Sequence, residues 1–177
     1  VLLEHNGNKI AFLGCNAKGG GYAQARDDYP GAVACDFPTM VNQIQMLVER
    51  GFNPIATFQH FEYYTYQAQP NQIRDARILT DAGAVIVSGS QAHQPQGFEI
   101  EEGSFIHHGL GNLFFDQIYQ IPPNTATAFM DRRIFYDGKH ISTDLVTIKF
   151  VDFARARPMT QLEREVLLTI VFEASGW

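Results

Sequence analysis

Helix and strand signals alternate through the middle of the 177-residue chain, and this alternation restricts the fold more than any other feature. Hydrophobic spacing and turn residues predict, in order, a helix over 39–50, a strand over 55–59, a helix over 71–82 and a strand over 84–88. The last segment, AVIVS, is apolar throughout, which is typical of a strand buried on both faces. Because the helices would connect neighbouring strands, this order favours an α/β sheet with crossover helices.

Further strands are predicted on either side of this α/β region. A buried strand over 9–14 follows an Asn-Gly turn at 6–7, and hairpins are predicted around Glu-Gly at 102–103 and Asp-Gly at 137–138. The strands of the two hairpins are expected over 98–101, 104–108, 126–136 and 140–151. This strand content predicts a second sheet layer packed on the first and covered by helices.

Two helices have a predicted buried face. In the helix over 39–50, the inward residues are Val41, Ile44, Leu47 and Val48. Near the C-terminus, Thr160 and Glu163 have the spacing of a capping box, which predicts the start of a helix. The inward residues predicted for that helix are Leu162, Val166, Leu167 and Ile170.

Charge and hydropathy argue against two classes of partner. The chain has 13 basic and 19 acidic residues, a net charge of −6, and its basic pairs are isolated, so no nucleic acid is expected as a partner. No apolar run approaches the roughly 20 residues that a membrane-spanning helix needs. The opening residues turn polar at once, so no signal peptide is predicted within this sequence.

The two cysteines, Cys15 and Cys35, leave two alternatives open. Outside the cytoplasm they would form a disulfide, whereas in the cytosol they would be buried thiols.

Polar side chains suited to chemistry follow two of the predicted strands. His60 comes directly after the strand over 55–59, at the edge where α/β sheets usually bind ligands. It is either a metal ligand or proton carrier, or a hydrogen-bonded structural histidine. Gln91 and His93 follow the strand over 84–88, and their spacing of two places both side chains on one side of an extended backbone. This pair is suited to holding a metal or an anion.

A third group of candidates surrounds Asn112, which lies in the glycine-containing segment 107–116. Asn112 either contacts a ligand or bonds the backbone of its own turn, and Asp116 either contributes to the site or ties down the following loop. His107 and His108 are adjacent in a predicted strand and must face opposite ways, so at most one of them reaches a shared site.

Taken together and in order, these three groups resemble the bacterial capsule synthesis CapA family. The motifs that carry the resemblance are HFEYY at 60–64, DAGAVIVSGSQAHQPQGFE at 81–99 and HGLGNLFFDQ at 108–117. The resemblance covers roughly residues 9–150 and implies the C-terminal part of a metallophosphatase-like fold, an α/β layered sheet sandwich with flanking helices. It implies a single domain over 1–177 that lacks the N-terminal part of the family fold.

The resemblance also implies a site that holds divalent metal, Mn, Fe or Zn, and activates water against a phosphoester. It assigns metal ligation to His60, Gln91 and His93, catalytic roles to His60, Glu62 and His93, and substrate contacts to Tyr63, Gln96 and Asn112. The family has histidine at the position of Gln91, so one metal position is expected to be weakened. The family's remaining metal ligands lie in two motifs that would precede Val1.

The implied function is a metal-dependent phosphoesterase-like hydrolase in the synthesis of poly-γ-glutamate capsule or another envelope polymer. Its expected partners are an anionic polymer or phosphoester substrate, other capsule synthesis proteins and a second copy of the chain, and its expected location is extracytoplasmic or membrane-associated. The alternative is a non-catalytic relative that binds polymer or a protein through the same crevice. A third reading is an interaction surface built from Phe61, Tyr63, Tyr64 and Tyr66, although core packing is the commoner use of such rings.

Overall fold

The computed structural model describes residues 1–17, 23–115, 123–152 and 155–177. The first half of the fold comprises β1 (Leu2–His5), β2 (Asn8–Asn16), α1 (Phe37–Glu49), β3 (Asn53–Gln59), α2 (Pro70–Asp81) and β4 (Ile86–Ser90). The second half comprises β5 (Phe98–Glu101), β6 (Ser104–His107), β7 (Thr127–Tyr136), β8 (Lys139–Val151), β9 (Arg155–Pro158) and α3 (Gln161–Ala174).

A mixed six-stranded sheet in the order β1-β2-β3-β4-β6-β5 organises the first two thirds of the chain. The four inner strands run parallel, and β1 and β5 pair antiparallel at the two edges. As predicted, α1 connects β2 to β3 and α2 connects β3 to β4, so the α/β arrangement with crossover helices is confirmed. No helix among the described residues is long and apolar enough to cross a membrane.

Local sequence signals predicted most helix and strand boundaries to within two residues of their positions in the structure. The predicted turns at 6–7, 102–103 and 137–138 are all present, with positive φ at both residues as a type I′ hairpin turn requires. Helix α2 begins at Pro70 because a missing N–H costs nothing in the first turn of a helix. Strand β4 was predicted to start at Ala84 but starts at Ile86, because the Ala84 N–H bonds the carbonyl of Leu79 at the helix end.

The core on the helical side of this sheet is built from small and aliphatic residues. Helix α1 buries Met40 and Ile44 against Ala56 and Phe58 of β3. Val48 was predicted to face inward, and this is wrong, since the side chain is 45% exposed. It lies in the last turn of α1, next to Gly83.

A three-stranded antiparallel sheet, β7-β8-β9, packs with α3 on the other side of β5 and β6. The cluster between them consists of Phe98, Phe105, Phe129, Leu167 and Val171. Leu162 and Val166 were predicted to face inward. Both predictions are wrong, because the two side chains are 71% and 53% exposed. Residues 162, 166 and 170 lie along one side of α3, and residues 163, 167 and 171 lie along the side next to it. The sequence pattern alone could not decide which of these two sides meets the aromatic cluster.

A buried hydrogen-bond network that includes an ion pair connects the two sheets. Asp131 Oδ2, on β7, lies 2.7 Å from His107 Nδ1 of β6 and accepts a bond of 2.6 Å from Arg133. The side chains of His107, Asp131 and Arg133 are 0%, 3% and 14% exposed. The Arg133 guanidinium lies over the ring of Phe105, 4.6 Å from its centre, and burial lowers the pKa of Arg133. These charges are therefore shielded from water and depend on one another.

A disulfide joins Cys15 to Cys35, with the two Cα atoms 4.9 Å apart and a separation of 20 positions in the sequence. Of the two alternatives left open by the sequence, this is the pairing typical of an oxidising compartment. The bond closes the connection between β2 and α1, at the same sheet edge as the end of β3.

Replacing both cysteines with serine is expected to lower the free energy of unfolding by about 3 kcal/mol, the loop-entropy value for a closure of this length. The measurement is urea unfolding of the variant beside the oxidised wild type. Reduced wild type serves as the control and should match the variant. Equal midpoints for the oxidised protein and the variant would contradict the role assigned to the bond.

Candidate functional site

The carboxyl ends of β3, β4 and β6 bring the predicted site segments to one edge of the sheet. His60 follows β3, and its backbone N–H bonds the carbonyl of Ser90 at the end of β4. Gln91 and His93 lie directly beyond Ser90, and Asn112 comes from the loop after β6. The side chains of His93 and Asn112 are in contact, so the structure brings the second and third predicted groups together.

His60 is buried, with 1% of its surface exposed. Its Nε2 donates to Asp75 Oδ2 at 3.1 Å, because a carboxylate can only accept, and Arg74 pairs with the other carboxylate oxygen. Nδ1 is buried and meets no hydrogen-bond partner among the described residues. A neutral ring held in this way carries an unshared lone pair on Nδ1, and a carboxylate on the opposite nitrogen is the usual support of a metal-ligating histidine.

His93 is the centre of a second arrangement, here called the His93 cluster: Glu62, Tyr64, His93, Asn112 and Phe115. His93 Nε2 lies 2.9 Å from Glu62 Oε1, and His93 Nδ1 lies 2.6 Å from Asn112 Oδ1. The Tyr64 hydroxyl donates to the same Glu62 oxygen at 2.6 Å, and this bond raises the pKa of Tyr64. The rings of Tyr64 and Phe115 lie 5.8 and 4.8 Å from the imidazole. Both polar edges of His93 are therefore engaged, while aromatic rings pack against the ring itself.

Gln91 has a strained backbone and an internal partner. Its φ is +82°, in the left-handed region that a residue with a side chain rarely adopts. Its side-chain oxygen accepts a hydrogen bond from the Gln59 amide. Strain of this kind is often found at functional sites.

The predicted substrate-binding residues are all engaged with protein groups. Tyr63 exchanges hydrogen bonds with Asn71 through its hydroxyl, and its ring stacks 6.1 Å from that of His60. The Gln96 amide is fully buried and bonds Gln72 and the backbone of Gln67. Substrate contacts from Tyr63, Gln96 and Asn112 stay predictions, since nothing observed here tests them.

Within the described parts of the chain, no group of three or more His, Cys, Asp or Glu side chains is arranged to hold a metal ion. The donor types nevertheless suit a divalent cation: a free imidazole nitrogen at His60, and an imidazole nitrogen beside a carboxylate at His93 and Glu62. Ligation by His60, Gln91 and His93 therefore stays a prediction. Asp116 and Gln117, the last residues of the third motif, lie outside the described residues.

Adjacent His107 and His108 do face opposite ways, as predicted. His107 meets Asp131 on the side of the second sheet, whereas His108 Nε2 lies 2.6 Å from Glu99 Oε1. The bond with His108 holds the pKa of Glu99 below its ordinary value, and a bond from Arg77 acts in the same direction. Both histidines are buried, and neither joins the His93 cluster.

Sequence reasoning missed the three carboxylates that pair with buried histidines, Asp75, Glu99 and Asp131. For Asp75 a signal existed, since Gln72, Asp75, Ala76 and Leu79 have the i, i+3, i+4, i+7 spacing of one helical face, and all of them are buried. An acid within a buried face needs a partner, and a histidine after the neighbouring strand is the obvious one. For Asp131 the sequence offers a weaker signal, which is an acidic residue at an inward-facing position of a predicted strand.

Comparison with known proteins identifies the family to which these motifs belong. The model of the family described as "Bacterial capsule synthesis protein PGA_cap" matches residues 1–117. The chain belongs to this family. Two relatives are the "PGA biosynthesis protein CapA" of Bacillus subtilis (strain 168), 33% identical over 118 residues, and the "Capsule biosynthesis protein CapA" of Bacillus anthracis, 28% identical over 121 residues.

These alignments cover 63% and 66% of this chain but only 30% and 29% of the two relatives. The chain therefore spans about a third of the length of the curated CapA proteins it matches. The matched region of the PGA_cap family includes the whole six-stranded sheet and the three segments that carry His60, His93 and Asn112. The expected CapA resemblance is confirmed.

Proposed function

We propose that this chain is part of a CapA-type protein that works in the biosynthesis of a poly-γ-glutamate capsule or a related envelope polymer, with the His93–Glu62 pair as its functional centre. Both relatives carry names that refer to PGA or capsule biosynthesis. An envelope role is consistent with the Cys15–Cys35 disulfide, and an extracytoplasmic location is part of the proposal. The proposed fold is a metallophosphatase-like sandwich, of which the two sheets described above are the C-terminal part.

The observation that carries the proposal is the geometry of His93 and Glu62. Their 2.9 Å contact joins an imidazole to a carboxylate at the carboxyl ends of parallel strands. Glu62 is accessible, with 36% of its side chain exposed, and His93 is 15% exposed, so a ligand can approach both. Such a pair can bind a divalent cation or carry a proton.

Charge favours a cation at this edge. The segments 60–69, 90–97 and 108–115 contain no lysine or arginine, although an anionic polymer or phosphoester would have to bind beside them. A divalent cation would supply the missing positive charge, polarise a phosphoester oxygen and lower the pKa of bound water. The residues proposed to hold it are His93 through Nε2 and Glu62 through its carboxylate. His60 through Nδ1 and the weaker amide ligand Gln91 would have to turn toward them on binding, because His60, Glu62 and His93 do not form a three-residue metal cluster in this structure.

The test is the metal content of the longest native chain, followed by calorimetric titration of the metal-free protein with Mn²⁺ or Zn²⁺. His93→Ala and Glu62→Gln are expected to weaken binding by about tenfold or more, and His60→Ala should weaken it as well. Gln91→His is expected to strengthen it, because imidazole is the better ligand. Asp144→Ala, which removes an exposed acid paired with Arg132, is the matched control and should bind metal like the wild type.

Unchanged affinity in both His93→Ala and His60→Ala would contradict the metal assignment. A substrate screen with phosphoesters follows only if metal binds at about one or two ions per chain, the stoichiometry of such hydrolase centres.

A second candidate function is a non-catalytic relative that binds the polymer or another capsule synthesis protein through the same edge. The observation that favours it is the internal pairing of Gln91 with Gln59, which occupies the amide oxygen that would otherwise face a cation. For this candidate we expect no metal in the native protein even after it is added back, and retained binding of poly-γ-glutamate or of a second copy of the chain.

A further inference from the structure

Six of the described residues other than glycine have a positive φ, the left-handed backbone that favours glycine. Two of them are Gln91 and Phe114, with φ values of +82° and +54°. Both belong to loops at the carboxyl edge of the six-stranded sheet, where His93 lies. The other four lie in the connections between antiparallel strands: Asn6, Glu102, Asp137 and Asp152. Outside those connections, backbone strain in the described part of the chain is therefore found only at this site.

Phe114 combines this strained backbone with an exposed aromatic ring. It is 72% exposed, so the ring contributes little to the core. A bulky side chain makes the left-handed conformation costly, and glycine would form the same turn without that cost. The folded chain therefore gains stability neither from this ring nor from the backbone that carries it. Strained residues of this kind cluster at ligand sites, where a bound molecule supplies the compensating contact.

The position of Phe114 places that contact beside His93. Asn112, two residues earlier, bonds the His93 imidazole at 2.6 Å, and the ring of Phe115, the next residue, lies 4.8 Å from it. Consecutive Cα atoms are about 3.8 Å apart, so Phe114 extends from the backbone within one residue of the His93 cluster. Leu113 is 51% exposed, which makes the whole tip of this loop apolar. The loop therefore presents an apolar surface to a ligand at the His93 cluster.

We propose that Phe114, together with Leu113, binds the hydrocarbon part of an anionic polymer held at the His93 cluster. The segments 90–97 and 108–115 contain no lysine or arginine, so binding here depends on apolar contact rather than on basic side chains. In poly-γ-glutamate, two methylene groups and an amide separate the carbons that carry the carboxylates, and methylene groups gain free energy by packing on an apolar surface. Inorganic phosphate offers no hydrocarbon to this loop. The inference rests on the proposed function and makes Phe114 a residue that favours the polymer over phosphate.

The experiment is calorimetric titration of the longest native chain with a poly-γ-glutamate oligomer of defined length, and with inorganic phosphate as the second probe. Phe114→Ser is expected to weaken oligomer binding by about tenfold or more, the usual effect of losing the burial of one aromatic side chain, and to leave phosphate binding unchanged. Tyr136→Ser is the matched control. Tyr136 is 74% exposed at the tip of the β7–β8 hairpin, which bonds Asn8 at the opposite end of the strands, so this variant should bind both probes like the wild type.

A stability measurement separates ligand binding from a role in the fold. Phe114→Gly keeps the turn and relieves the strain, so its urea midpoint should equal or exceed that of the wild type, while oligomer binding falls as it does in Phe114→Ser. A lowered midpoint with unchanged oligomer binding would show that Phe114 serves the fold, and would overturn the proposal. Wild-type affinity of Phe114→Ser for the oligomer, an equal loss for both probes, or a wild-type chain that does not bind the oligomer would also overturn it.

Failure of this inference and failure of the proposed function give different results. If His93→Ala binds metal and oligomer like the wild type while Phe114→Ser loses the oligomer, the proposed centre is contradicted and the role of Phe114 stands. If His93→Ala loses both while Phe114→Ser keeps the oligomer, the reverse holds.

Discussion

Replacing Asp131 with alanine is expected to destabilise the protein by about 3–5 kcal/mol, because it leaves buried charge without its partner. Asp131 Oδ2 contacts both His107 and Arg133, and the Asp131 side chain is 3% exposed. Without it, Arg133 keeps a charge that burial already disfavours, as the direction of its pKa shift shows. The connection between β6 and β7 would weaken at the same point.

The measurement is the free energy of unfolding from urea denaturation. The control is Asp144→Ala, which removes an acid whose partner Arg132 is 70% exposed, and a loss of at most about 1 kcal/mol is expected there. If the two variants lose the same small amount, the buried network does not link the sheets energetically. A double variant, Asp131→Leu with Arg133→Met, should recover much of the loss, since apolar replacement of a buried pair is often tolerated.

The second large effect is expected for Gly89→Ala in strand β4. A Cβ at Gly89 would lie 2.0 Å from the carbonyl oxygen of His108 and 2.8 Å from its carbon. Both are backbone atoms, so relief requires the segment after β6 to move away from β4. We expect a loss of more than about 4 kcal/mol, which is exceptional for one methyl group and would leave little folded protein.

Gly14→Ala provides a matched control in strand β2 of the same sheet. There the nearest atom to the added Cβ is the Thr57 side-chain oxygen at 3.1 Å, which can rotate away. A loss of about 1 kcal/mol is expected, the middle of the usual range for single substitutions. The measurement is thermal unfolding of both variants. A Gly89→Ala protein as stable as Gly14→Ala would show that the fold does not need the close approach of Gly89 to the His108 backbone.

The parts of the fold that could be predicted are those fixed by local chemistry. The Asn-Gly turn at 6–7 and the Asp-Gly turn at 137–138 need positive φ, which few residues tolerate, so their positions were clear from the sequence. The strand β4 and the helices on either side of β3 could be predicted from the spacing of hydrophobic residues and from the glycines that end the helices. The capping box at Thr160 is also formed as predicted, with Thr160 accepting from the Glu163 N–H.

The parts that could not be predicted depend on which surfaces meet. Leu162 and Leu167 of α3 are equally apolar, yet only Leu167 reaches the aromatic cluster of Phe98 and Phe129. For the site, the motifs placed His60, His93 and Asn112 at one sheet edge. They did not show that His60 is held by Asp75, because that contact depends on how α2 is rotated against β3. Hydrogen-bond partners of this kind require the packed structure.

The central claim is that the His93–Glu62 pair is the functional centre of a CapA-type protein. Its most direct test is the amount of capsule polymer made by cells whose CapA-type protein carries His93→Ala or Glu62→Gln in its full chain, compared with Asp144→Ala and with wild type at equal protein level. We predict a loss of polymer of about tenfold or more in the first two strains, in line with the effect of removing a metal ligand or its support, and normal polymer in the control. Normal polymer in the His93→Ala and Glu62→Gln strains would contradict the claim.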